Sequence, residues 1–152
     1  MAAPLPVQLS PASAPALTVA AIARRGSKFL MVEEMAHGRR VLNQPAGHVE
    51  PGESLAAAVI RETLEEAACT FVPDAVTGIY LWQRPGAAQW LLRVTICGEV
   101  VDHDPERSLD AGIIGTCWVT REALAWSAGL LRNPMVLQGI DDYLAGNRRP
   151  LA

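Results

Sequence analysis

The chain reads as an α+β or sandwich fold built around one central helix, and three observations lead there. Apolar periodicity along the chain runs as strands, one helix, further strands and then helices, an order that belongs to mixed architectures. The central helix is entered from a loop broken by Pro45, Gly47, Pro51 and Gly52, the kind of connection on which a rigid scaffold carries its chemistry. With 152 residues, half of them hydrophobic, the chain can bury one respectable core but hardly two.

The elements follow in order. Residues 1–15 are rich in alanine and proline and read as a flexible lead-in. Pro4, Pro6, Pro11 and Pro15 break any signal-type apolar run, and no basic segment precedes it. Residues 16–152 form the single domain. "LTVAAI" (17–22) and "KFLMVEEM" (28–35) read as strands flanking Arg25-Gly26, a hairpin. Residues 39–54 begin as a short strand and become loop. A helix is expected over 55–67, capped by Ser54 after Pro51-Gly52. Strands 75–83 and 89–101 are joined at Pro85-Gly86. An acidic irregular segment, "DHDPERSLDAG" (102–112), leads to a strand at 116–120 and a short helix at 121–127. A last helix, with Asn133 as cap and Pro134 at its first position, should run to about Leu144, with Gly146 beyond its end.

The central helix contains a puzzle. Glu62, Glu65 and Glu66 are spaced i+3 and i+4, so they share one face, bordered by Arg61. Ala56, Val59, Ile60, Thr63, Leu64 and Ala67 take the complementary, core-facing arc. Like charges at this spacing cost about 0.2–0.5 kcal/mol a pair. Acids are also disfavoured towards a helix C-terminus. Arg61 can relieve one of them, most simply Glu65. Two readings remain open at this level: a solvated acidic face, or a carboxylate set compensated by a hard divalent cation.

Composition excludes several classes. A net charge of −3 and a pI near 5.6 leave no basic footprint for nucleic acid polymers, and no Lys/Arg run suits anionic membranes. Cys69, Cys97 and Cys117 are too scattered for zinc and odd in number, which points to three ordinary buried thiols in a reducing, cytoplasmic setting. No apolar run reaches the roughly 18 residues of a membrane span.

Extending the helix backwards changes the odds. The segment 47–69, "GHVEPGESLAAAVIRETLEEAAC", resembles the Nudix box, G-x5-E-x7-R-E-U-x-E-E-x-G-U with U a bulky apolar residue, and fills every charged position of it. Thr63 stands where a bulky apolar residue is expected, and Ala68 replaces a glycine that commonly takes a left-handed C-cap conformation. "VEEMAHGRRVLNQPAGHVEPGESL", "LRNPMVLQGIDDYLAGNRRPL" and the "LW" at 81–82 further resemble the NudJ-type phosphatase branch of this family.

The resemblance implies an α/β/α sandwich with a mixed β-sheet and a central catalytic loop-helix. It implies hydrolysis of phosphoanhydride bonds in nucleoside tri- and diphosphates, and in thiamine-pathway pyrophosphates such as hydroxymethylpyrimidine pyrophosphate. The cofactor implied is Mg²⁺, with Mn²⁺ as a substitute. Glu62, Glu65 and Glu66 would be metal ligands, with the backbone carbonyl of Ala46 or Gly47 completing the shell. Glu53 would orient Arg61, and an acid of the 102–112 segment would supply the general base; Asp110 is preferred over Asp102, Asp104 and Glu106. Gln44, Gly47, His48, Trp82 and Arg93 are the candidates for substrate contact, with Arg132 and Asn133 bordering the pocket. Partners are a small-molecule nucleotide or pyrophosphate, and both monomer and homodimer remain open. Rival readings are an ADP-ribose, ADP-sugar or oxidised-nucleotide pyrophosphatase, and a non-catalytic Nudix-fold binding module. The last would be supported by lost box glutamates, and none is lost.

Overall fold

Strand β1 (Ala16–Arg25) lies inside a sheet covered on both faces, and its sequence says so: Val19 to Ala23 are all buried. A strand buried on both sides reads as a continuous apolar run, and this one does. The computed structural model describes residues 14–151, so all but the last two residues of the expected lead-in lie outside it. After β1 come β2 (Lys28–Ala36), β3 (Arg39–Asn43), β4 (Ala46–His48), α1 (Leu55–Ala67), β5 (Cys69–Gln83), β6 (Trp90–His103) and β7 (Ile113–Thr120). The chain ends with α2 (Arg121–Trp126), a 3₁₀ turn at Ala128–Leu130, α3 (Met135–Leu144) and β8 (Arg149–Pro150).

β1 pairs parallel with β6 and antiparallel with β4; β5 pairs antiparallel with β6 and β8, giving one mixed sheet. A second sheet, β3-β2-β7, is antiparallel and joins the first through the β1–β2 hairpin. Alternation along β1 divides the core. Val19, Ala21 and Ala23 face α1 with Val59, Phe71, Val94 and Ile96, whereas Ile22 faces α2 and α3 with Leu124, Val136 and Ile140. The result is the expected α/β/α sandwich.

Several details differ from the sequence reading. β4 falls within the segment whose sequence reads as loop, because its three residues lie between breakers and form a strand only by pairing with Thr18–Ala20. β5 begins at Cys69 rather than residue 75; Pro73 and Asp74 suggest a break, but shifts of register around Thr70 and Pro73 absorb them. At α3, Pro134 takes the cap position, and the side chain of Asn133 accepts from the Met135 N–H at 2.9 Å. Along α1 the buried face is rotated from the expected one: Ile60 is 38% exposed, while Glu62 and Glu66 are buried. Cys117 is half-buried, unlike the buried Cys69 and Cys97.

Candidate functional site

Helix α1 starts where Ser54 accepts from the Ala57 N–H at 3.0 Å, and no acid occupies its first turn. Thr63 is fully buried and donates its hydroxyl to the Val59 carbonyl at 2.7 Å, so the polar residue at an apolar box position is satisfied within the helix. Ala68 ends the helix at φ 53°, and its N–H returns to the Leu64 carbonyl. The left-handed cap is thus made by an alanine where glycine would be unstrained.

Arg61 organises the helix face. Its Nε and Nη2 donate to the two oxygens of Glu53 at 2.8 and 2.9 Å, a bidentate pair. Nη1 donates to Glu62 Oε1 at 2.8 Å and to Glu65 Oε2 at 3.2 Å, and Nη2 also donates to the His48 carbonyl at 2.9 Å. Hydrogen bonds from Arg61 hold the Glu53 carboxyl down to about 2, and Glu53 in turn raises the arginine further. Arg61 therefore ties the loop before the helix to two helix carboxylates.

The carboxylates fall into two environments. Burial pushes Glu62 up despite Arg61, and it pushes Glu66 up to about 8 even though Glu66 Oε1 accepts from the Ala46 N–H at 3.1 Å. Gly47 leaves room for the Glu62 carboxyl where it lies, because a Cβ there would be 2.2 Å from the carboxyl carbon and would push it aside. Opposite, the 102–112 segment is pinned to the unpaired carbonyls at the end of α1: Asp104 N–H donates to Ala68 O at 2.9 Å and Asp110 N–H to Glu65 O at 3.0 Å. The second of these bonds brings Asp110 to the helix. Oxygens of Glu62, Glu65 and Asp110 all lie within 4.8 Å of one another.

Such a set fits a hard divalent cation: three oxygen donors, one buried, one half-buried and one exposed, with Glu66 behind them. Asp102, Asp104 and Glu106 stay outside the group. The expected substrate residues separate. Gln44 and Arg93 are buried together, Arg93 donating to the side-chain oxygens of Gln44 and Asn43, and Gln44 donating to the Val136 carbonyl at 2.8 Å. Burial lowers the Arg93 guanidinium to about 10, and its Nε has no hydrogen-bond partner. His48 has an exposed side chain and contributes its backbone carbonyl to Arg61. Trp82 lies elsewhere, on a cleft of about 630 Å³ that also takes in Arg132 and Asn133.

Glu34 and its neighbour Asn43 escaped sequence reasoning. Glu34 on β2 accepts from Arg132 Nη1 at 2.8 Å and from Asn43 Nδ2 at 3.4 Å. The signal was present: Glu33-Glu34 are adjacent on a strand, so one of them must point inward.

A family model described as the NUDIX domain matches residues 14–137. The chain belongs to the Nudix family. As a Nudix hydrolase it acts on phosphoanhydride bonds, and the family generally employs divalent metals on small-molecule nucleotide substrates. It is 35% identical over 137 residues to phosphatase NudJ of Escherichia coli K12, covering 90% of this chain and 88% of the relative. A Nudix hydrolase structure from Nitrosomonas europaea superposes with a TM-score of 0.88 at 45% identity, covering 91% of this chain and 94% of that one. The MutT protein of Methanosarcina mazei, at 21% identity, a TM-score of 0.66 and coverage of 92% and 100%, shares the Nudix fold. No helix among the described residues is long and apolar enough to cross a membrane.

Proposed function

We propose that this chain is a Mg²⁺-dependent hydrolase of nucleoside tri- and diphosphates and of related ring-bearing pyrophosphates, such as hydroxymethylpyrimidine pyrophosphate, with Mn²⁺ able to replace Mg²⁺. The observation that carries this reading is the convergence of Glu62, Glu65 and Asp110 in front of the buried Glu66. The likeness to phosphatase NudJ supports hydrolysis that releases phosphate, and three free thiols support a cytoplasmic setting.

Glu62, Glu65, Glu66 and the Ala46 carbonyl would hold the cation. When bound, it neutralises phosphate charge and lowers the pKa of a coordinated water. The chain's own groups do the rest. Glu53 fixes the Arg61 guanidinium, which sets the rotamers of Glu62 and Glu65 before substrate arrives. Asp110 is exposed at the open side of the group and is suited to accept the proton of an attacking water. Gly47 and His48 form the backbone wall beside it, and Arg93 with Gln44 supplies a buried positive charge behind Glu66.

The test is a Mg²⁺-dependent release screen over nucleoside di- and triphosphates, ADP-ribose and hydroxymethylpyrimidine pyrophosphate, with orthophosphate and pyrophosphate measured separately. Orthophosphate from several substrates supports the proposal. Cleavage of ADP-ribose alone replaces it with a sugar-nucleotide pyrophosphatase, and silence on all of them favours a binding module.

A further inference from the structure

The cleft on which Trp82 lies has an unusual charge. Its walls include Arg39, Arg84, Arg132 and His37 and no carboxylate, in a chain with 16 acids against 13 bases. An aromatic side chain set among guanidinium groups suits a ligand that is both planar and anionic. Arg132 has a second distinction. Its backbone N–H donates to the Leu42 carbonyl at 2.8 Å, which fixes the segment before α3 against β3. Its side chain turns the other way, to Glu34, whose charge also acts on Glu66. Arg132 therefore lines the cleft and at the same time reaches Glu34, whose charge is felt at Glu66.

The ion pair itself is asymmetric. The Arg132 side chain keeps 36% of its surface in water, while that of Glu34 keeps 13%. Glu34 is braced by Asn43, which is braced by Arg93, which is held by Gln44 and through it by α3. One partner is anchored and the other can leave. A half-exposed guanidinium exchanges one anion for another at little cost, and its planar fork takes a phosphate as readily as a carboxylate.

We propose that Arg132 binds the substrate phosphate nearest the ring, and that its pair with Glu34 is the resting position it leaves to do so. Resting on the hydrolase reading above, this assigns the ring end of the substrate to one cleft and the phosphate nearest it to one side chain. The ring occupies the cleft beside Trp82 while the phosphate chain passes Arg132 to reach Glu62, Glu65 and Asp110.

The experiment titrates α,β-methylene-ADP, which cannot be cleaved between those phosphates, into the full chain with Mg²⁺ by calorimetry, alongside Arg132→Gln and Glu34→Gln. Arg132→Gln is expected to weaken binding at least tenfold, and to raise KM for a nucleoside diphosphate equally with kcat within threefold. Glu34→Gln, which frees Arg132, should bind the analogue as well as the parent or up to threefold tighter. Unchanged affinity in Arg132→Gln overturns the proposal, as does equal weakening in both variants, which would make the pair structural. Failure of the parent to bind the analogue overturns it too. Because binding is read without turnover, an inactive parent that still shows the Arg132 effect would sink the hydrolase reading and leave this one standing.

Discussion

Glu66 sits where water cannot solvate its charge, and burial holds its carboxyl up to about 8. A folded-state pKa above the unfolded value of 4.5 means that the folded form binds more protons between the two. Without metal, stability therefore falls as pH rises from about 4.5 to about 8, by up to about 5 kcal/mol. Glu66→Gln should remove that loss in urea melts with EDTA at pH 5 and pH 8, since glutamine still accepts from the Ala46 N–H, and it should abolish turnover. Full activity in the variant would end the assignment of Glu66 as a ligand. Glu53 works in the opposite direction: its carboxyl is held at about 2, so its contribution is complete above the unfolded value and is lost as pH falls through about 2. Gly47 offers a purely steric test. In Gly47→Ala the new methyl meets the Glu62 carboxyl, which Arg61 holds in place. Activity should fall on the order of 10²-fold from the displaced carboxylate, while urea melts move little because the group that shifts is at the end of a side chain.

At the scale of elements, α1 was the most legible part of the chain. Ser54, Leu55 and Ala67 mark its cap and ends as the sequence reading expected, because capping and breaker chemistry are local. Its buried face was not legible. Ile60 is exposed and Glu62 and Glu66 are buried, against the apolar pattern, because β4 supplies an N–H and a side-chain-free wall that only the folded chain brings there. β4 and β8 escaped for a related reason: three and two residues carry no periodicity, and pairing alone defines them. The end of α1 explains how this chain tolerates alanine at a glycine position. Left-handed alanine costs about 1–2 kcal/mol. Against that, its restriction of the unfolded chain is worth about 0.4–1 kcal/mol and its buried methyl about 0.8 kcal/mol. Ala68→Gly should therefore change unfolding free energy by less than about 1 kcal/mol, measured by urea denaturation. A gain of about 1.5 kcal/mol would mean that the methyl contributes nothing.

For the whole molecule, the candidate cation site joins α1 to a segment more than 40 residues later in the chain, through Asp110. A ligand that binds only the native arrangement stabilises all of it. Mg²⁺ at 100 times its Kd should add about 2.7 kcal/mol, seen as a rise in Tm that Asp110→Asn and Glu62→Gln each diminish. No shift at saturating Mg²⁺ would mean that these carboxylates hold no cation. The same segment is fastened at two places, Asp104 to Ala68 and Asp110 to Glu65, and a turn from Asp104 to Arg107 precedes an exposed stretch. The two clamps insulate what lies between them from the chemistry. A Gly-Ser-Gly insertion after Arg107 should leave kcat within about threefold, because lengthening a loop between fixed ends adds little closure entropy. The exposed pair Arg107-Ser108 is thus a grafting port, where a peptide tag or sensor module can be built in within a few residues of the candidate cation site.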